Sequence, residues 1–284
     1  MASSTSTTGF VSTNDGVRLS YTQTGPSSGR NILFISGWRQ TAAQWRKQVS
    51  HFQRTHRVTT YDHRGHGDSD EPGFGHRVYR YAADLLDVLT SLNLSGVNVV
   101  AHSLGCSVTW AFFDIFPSQA RELISSLVLV DQSPCMVADP AWTPEQARQL
   151  AAVFSPGTAY DLAGTMHEAT AGLVAAMFTT GVTDEDRQWA LQRSYMMSDE
   201  SAAALLRDHA SMDWRDVLPR LGVPTLLIAV EGSLFPAEGI RAVGEKIPGT
   251  NVVAFGKGEG GSHMMFWENP ERFNEVVEGF VKQQ

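Results

Sequence analysis

The chain has 284 residues, 42% of them hydrophobic, enough to bury a large core as one domain or as a core with an insertion. A net charge of −8 with no basic cluster argues against a nucleic-acid footprint, and two cysteines, Cys106 and Cys135, are too few for a disulfide framework. The small, polar start Met1–Thr8 reads as neither a secretion signal nor a transit peptide. No apolar run reaches the roughly 20 residues of a membrane helix, so the expectation is a soluble, cytoplasmic protein without membrane or nucleic-acid partners.

Gly16 to Thr22 alternates in the strand period between the turn residues Asn14-Asp15-Gly16 and Gly25-Pro26. Asn31 to Ile35 is a continuous apolar run, suited to a strand buried on both faces. Trp45 to Phe52 reads as a short helix, Arg57 to Tyr61 as a strand, and Tyr79 to Leu92 as a helix. Val97 to Ala101 is a strand, followed by a helix from Ser107 to Phe116 that Pro117 is expected to stop. Further strands are expected at Ser126 to Val130, Pro224 to Val230 and Asn251 to Phe255, and a terminal helix from Pro270 to about Lys282.

This alternation predicts an α/β domain with a largely parallel sheet covered on both faces. Between Ser133 and Leu221 the pattern becomes helical, without strands and rich in Met and aromatic residues. We therefore expect a core formed by residues 1–132 and 222–284, with a helical cap (133–221) inserted after the fifth or sixth strand. Most of the large side chains of the cap should pack against the core, while some, Trp142 and Tyr160 among them, should line an apolar substrate pocket.

The most informative stretch is Val99-Val100-Ala101-His102-Ser103-Leu104-Gly105-Cys106. An apolar strand meets a serine, a small residue stands two positions to either side, and a helical pattern follows. That is the context of a nucleophile elbow, with Ala101 in place of the usual first glycine. A serine hydroxyl needs a base to take its proton and a third group to orient that base. His263, in the glycine-rich loop Gly258-Glu259-Gly260-Gly261-Ser262-His263 ahead of the terminal helix, is the candidate base. His63 and His66 read as turn-fixing residues. His51, His56, His76, His167 and His209 read as surface or packing residues, and His102 as support for the elbow or a contact to substrate.

The acid has two possible seats. The turn after strand 224–230 offers Glu231-Gly232-Ser233-Leu234-Phe235-Pro236 and no aspartate, whereas Asp131 follows strand 126–130. Asp131 is the preferred acid and Glu231 the alternative. An oxyanion hole needs two backbone N–H donors; Leu104, after the serine, and Trp38, in the loop Ser36-Gly37-Trp38, are the candidates. The Trp38 ring is expected either to wall the pocket or to anchor its loop.

Together, Ser36-Gly37-Trp38, Tyr61-Asp62-His63-Arg64-Gly65-His66-Gly67-Asp68-Ser69, Ala101-His102-Ser103-Leu104-Gly105 and Ser262-His263 resemble the α/β-hydrolase superfamily, over nearly the whole chain except the cap. The nearest likeness is to its small esterases, lactonases and cofactor-free haloperoxidases. The resemblance implies an eight-stranded, mostly parallel sheet, a Ser-His-acid triad, and no metal or organic cofactor. It specifies the fold strongly and the substrate weakly. The expected activity is hydrolysis of an ester, lactone or similarly activated acyl bond in a medium-sized apolar molecule. The position of Asp131 is also similar to that in cofactor-independent quinolone dioxygenases, which implies an alternative: a His263–Asp131 dyad deprotonating a hydroxyquinolone-like substrate that then reacts with dioxygen. Those enzymes often carry a histidine close behind the loop tryptophan, where this chain has Arg39-Gln40.

Overall fold

The computed structural model describes residues 6–284; Met1–Thr5, most of the polar start discussed above, lie outside the described residues. Eight strands form one sheet: β1 (Thr7–Ser12), β2 (Arg18–Thr24), β3 (Arg30–Ile35), β4 (His56–Tyr61), β5 (Val97–His102), β6 (Ile124–Val130), β7 (Thr225–Val230) and β8 (Asn251–Phe255). Their order across the sheet is β1-β2-β4-β3-β5-β6-β7-β8. β2 runs antiparallel to both β1 and β4, and every pair from β4 to β8 is parallel.

The central strands are apolar throughout because both faces of the sheet are covered. Successive residues point to opposite sides. Leu33, Ile35, Val97, Val99, Ala101, Leu127 and Leu129 enter one core with helices α2 (Val78–Ser91) and α3 (Leu104–Ile115). Ile32, Phe34, Val100, Val128, Val130 and Ile228 enter the other, against α1 (Arg46–Phe52) and the C-terminal helix. The edge strands β1 and β8 expose much of their length, consistent with having one neighbour each.

Among the elements not read from the pattern, three have a clear physical reason. β1 was hidden because its sequence, Thr7-Thr8-Gly9-Phe10-Val11-Ser12, is polar and only Val11 is buried. Pro117 does not simply end a helix; it opens α4 (Pro117–Leu123), where a proline at the first position loses no hydrogen bond. Between β7 and β8, which pair in parallel, the connection forms a helix over Ala237–Gly244, the usual link between such strands.

Between β6 and β7 lie five helices: α5 (Pro144–Gln149), α6 (Thr158–Gly164), α7 (Met166–Ala176), α8 (Asp184–Ser194) and α9 (Asp199–Ser211). After them come α10 (Ala237–Gly244), α11 (Met265–Glu268) and α12 (Pro270–Val281). Within the insertion the only β-type pairings among described residues are isolated bridges, Cys135 with Asp213 and Val137 with Phe154. No described helix is long and apolar enough to cross a membrane.

Candidate active site

All the residues singled out for chemistry in the core lie at or beyond the carboxyl ends of β3, β5, β6, β7 and β8, the edge where open parallel sheets bind ligands. Backbone strain concentrates there as well. Five described non-glycine residues have positive φ, and three of them are Arg39 (55°), Ser103 (54°) and Asp131 (50°). Each such position costs on the order of 1–3 kcal/mol and persists only where its surroundings enforce it.

Ser103 combines φ 54° with ψ −123° at the sharp junction of β5 and α3. Its N–H donates to Val130 O across the sheet at 3.0 Å, which ties the elbow to β6. A Cβ on Gly105 would lie 2.7 Å from Ile35 O, so the close passage of α3 over β3 requires glycine two residues beyond the serine. Ser103 is only partly exposed. The backbone N–H groups of Leu104 and Trp38 have no acceptor among the described residues, which leaves both free to bind an incoming oxygen.

The loop carrying Trp38 is held by two buried histidines. The Arg39 N–H donates to His66 Nε2 at 3.0 Å, His66 Nδ1 donates to Arg64 O at 3.0 Å, and His63 Nε2 donates to Ser36 O at 3.3 Å. Burial pushes the pKa of His63 down to about 3 and that of His66 to about 4, so both stay neutral. His66 in particular can accept from Arg39 only in that state.

His263 Nδ1 lies 2.6 Å from Asp131 Oδ2, and both side chains are buried. The Ser233 hydroxyl donates to the same oxygen and lies 3.5 Å from His263 Nδ1. Glu231, the alternative acid, points outward, half exposed, and pairs with Arg241 at 3.4 Å. A carboxylate at Nδ1 keeps that nitrogen protonated and leaves Nε2 bare, the tautomer a general base requires. Among the described residues, Ser103 Oγ makes no hydrogen bond to His263; in unliganded sites such contacts are often long.

Of the four residues expected to contact substrate, two are buried in the core and two line an outer groove of the insertion. His102 is fully buried: its ring lies 4.4 Å from that of His263 and 4.9 Å from that of Phe266. Its Nε2 donates to His263 O at 2.9 Å, so it supports the loop of the candidate base, and burial drives its pKa well below the usual histidine range. The Trp38 ring is buried too, with its Nε1–H bonded to Ala202 O on α9 at 3.1 Å, so it anchors the cap to the β3 loop. Tyr160 is 69% exposed, because α6 turns the neighbouring Ala159 towards α9 and the core. Trp142 carries the Arg215 guanidinium 5.0 Å above its ring and lines an outer groove with Gln146, Leu218 and Lys246.

The pattern gave no warning of Arg39 or Gln40. Arg39 is buried, with its guanidinium bonded to Thr170 Oγ1 on α7, Met197 O (2.5 Å) and Asp199 Oδ1 (2.6 Å) at the start of α9. Gln40 meets His102 Nδ1 at 3.2 Å and Met177 Sδ at 3.2 Å. No local signal marks either residue, because the partners of the Arg39 guanidinium lie over a hundred positions away in the insertion, and those two partners of Gln40 lie on β5 and in the insertion. No group of three or more described His, Cys, Asp or Glu side chains is disposed to hold a metal ion.

A strand–serine–helix elbow at the centre of an eight-stranded, mostly parallel sheet, with a histidine from the last loop above it, defines a hydrolase-type α/β architecture. The sequence profile of the alpha/beta hydrolase fold matches residues 30–270, and the chain belongs to that family. It is 26% identical to the 3-oxoadipate enol-lactonase 1 of Acinetobacter baylyi, over 96% of each chain. It is 39% identical to a non-heme chloroperoxidase of Streptomyces lividans, but that match covers only 34% of this chain and 36% of the relative. A match to a non-heme chloroperoxidase of Burkholderia pyrrocinia likewise spans 49% of that protein, at 31% identity. Among solved structures, a bromoperoxidase from Bacillus anthracis superposes with a TM-score of 0.86 over 97% of this chain and 100% of its own, at 20% identity.

Proposed function

We propose that the protein is a serine hydrolase that cleaves an ester, lactone or similarly activated acyl bond of a medium-sized apolar molecule. The observation that carries this reading is the conjunction of a strained serine elbow with two unengaged N–H groups and a histidine whose Nδ1 is committed to Asp131. In this mechanism His263 Nε2 takes the Ser103 proton as Oγ attacks the acyl carbon. The N–H groups of Leu104 and Trp38 hold the oxyanion, a contribution of about 3–4 kcal/mol for each donor. The imidazolium then returns its proton to the leaving oxygen. A water, deprotonated by the same nitrogen, releases the acid and regenerates the serine. The likeness to an enol-lactonase over nearly full length supports an activated acyl substrate.

One observation favours a second reading. The His263–Asp131 pair is complete without the serine, so it could deprotonate a hydroxyquinolone-like substrate for direct reaction with dioxygen. Against it, Arg39 faces the cap rather than the site. Labelling with a fluorophosphonate discriminates: stoichiometric modification at Ser103 with loss of esterase activity is expected. Oxygen uptake with a hydroxyquinolone in an unlabelled, esterase-inactive protein would replace the first reading with the second.

A further inference from the structure

The turn after β7 carries no aspartate, yet it packs directly on the candidate base. A Cβ on Gly232 would lie 2.2 Å from Gly261 O, so the β7 turn and the His263 loop touch backbone to backbone. That approach delivers the next residue, Ser233, into the His263–Asp131 pair. The Asp131 carboxylate is fully buried, and its two donors among the described residues are His263 Nδ1 and Ser233 Oγ, both on Oδ2; Oδ1 has no partner. The Phe235 N–H points at Ser233 Oγ from 3.4 Å, occupying a lone pair and directing the hydroxyl proton towards the carboxylate.

We propose that Ser233 is a positioning residue, which holds the Asp131 carboxylate against His263 Nδ1 from the β7 side and thereby sets the pH at which the imidazole becomes available as base. The inference rests on the hydrolase reading above. A hydroxyl donated to a buried carboxylate stabilises the pair most when its net charge is −1, before the imidazole gains a proton. Removing that donor therefore makes the pair easier to protonate. The other titratable groups on the packed elements do not mask this change. His102 on β5 stays neutral, burial raises the Cys106 thiol on α3, and Glu231 and Lys257, in the flanking loops, are exposed.

The experiment is the pH dependence of kcat/KM for a nitrophenyl acetate with the wild type, Ser233→Ala, Ser233→Thr and Asp131→Asn. In S233A the acid limb should move up by about 0.5–1 pH unit, the size expected for one hydrogen bond to a carboxylate. The threonine variant, which keeps the hydroxyl, should restore the wild-type limb, and D131N should be nearly inactive at every pH. If S233A loses activity uniformly with its limb unmoved, or if threonine fails to restore it while D131N is inactive, the role of Ser233 is overturned and the hydrolase reading stands. Wild-type activity in D131N would overturn both.

Discussion

At the scale of single residues, the arrangement makes sharply unequal predictions for side chains of similar type. Replacing Ser103 by Ala should lower kcat/KM for an activated ester by about three orders of magnitude or more, since the members of such a triad act as a unit. The melting temperature should stay near that of the wild type, because the serine side chain donates nothing to the core. Retention of most activity in S103A would exclude nucleophilic catalysis by this residue. Between the two candidate acids, Asp131→Asn should abolish turnover, whereas Glu231→Gln should leave kcat/KM within about twofold. Among the described residues Glu231 pairs only with Arg241, at the surface, and exposed ion pairs of this kind contribute about 0–1 kcal/mol. Steady-state kinetics on the two variants side by side make the comparison.

At the scale of elements, the joint between cap and core runs through the loop after β3. Trp38 and Arg39 sit side by side there, one bonded to Ala202 and the other to Thr170, Met197 O and Asp199. Cutting Arg39 to Ala leaves buried acceptors without a donor, at about 1–3 kcal/mol each, although Asp199 is 45% exposed and can be rehydrated. We expect R39A to lose about 2–4 kcal/mol in chemical denaturation, and its KM to rise more for bulky esters than for an acetate, because the cap no longer holds its place over the β3 loop. Equal changes in KM for both substrates would show that the clamp serves folding alone. Trp142 and Tyr160, which line an outer groove, should behave differently: alanine at either position should leave the ratio of kcat/KM between large and small esters within about twofold.

For the whole molecule, buried neutral histidines dictate how stability responds to acid. His63, His66 and His209 are buried with pKa values pushed down to about 3, 4 and 3, and His102 is lowered as well. An unfolded chain protonates these groups near pH 6.5, while the folded chain resists. The folded state is therefore favoured in full above pH 6.5 and loses stability as pH falls towards 4, where the unfolded state binds more protons. Asp62 opposes this: burial raises it to about 6, so the native state takes up a proton there before the unfolded state does. With four histidines against that carboxylate, the denaturation midpoint should fall steadily between pH 6.5 and 4. A midpoint constant across that range would mean that these imidazoles are already charged in the native protein.

Much of this was legible in the chain itself because it is written locally. The period-two and continuous apolar runs determined the parallel sheet, and the strand–serine–helix junction with Gly105 determined the elbow, since each depends on neighbours a few positions away. The preference for Asp131 came from elimination, after the β7 turn was found to lack an aspartate. Other features depended on distant partners and were decided only when the chain folded. β1 is a strand because β2 offers it an edge, not because its residues are apolar. Tyr160 and Trp142 could not be sorted into pocket or exterior, because a helix's sequence shows which face is apolar but not which body covers it. Ser233 and His263 are thirty positions apart, and nothing local to either announces that their backbones meet at Gly232 and Gly261. Composition and short-range spacing thus determined the scaffold and its candidate nucleophile. Tertiary packing alone decided which side chains stand around that serine, because burial and hydrogen bonding are properties of surfaces brought together from far along the chain.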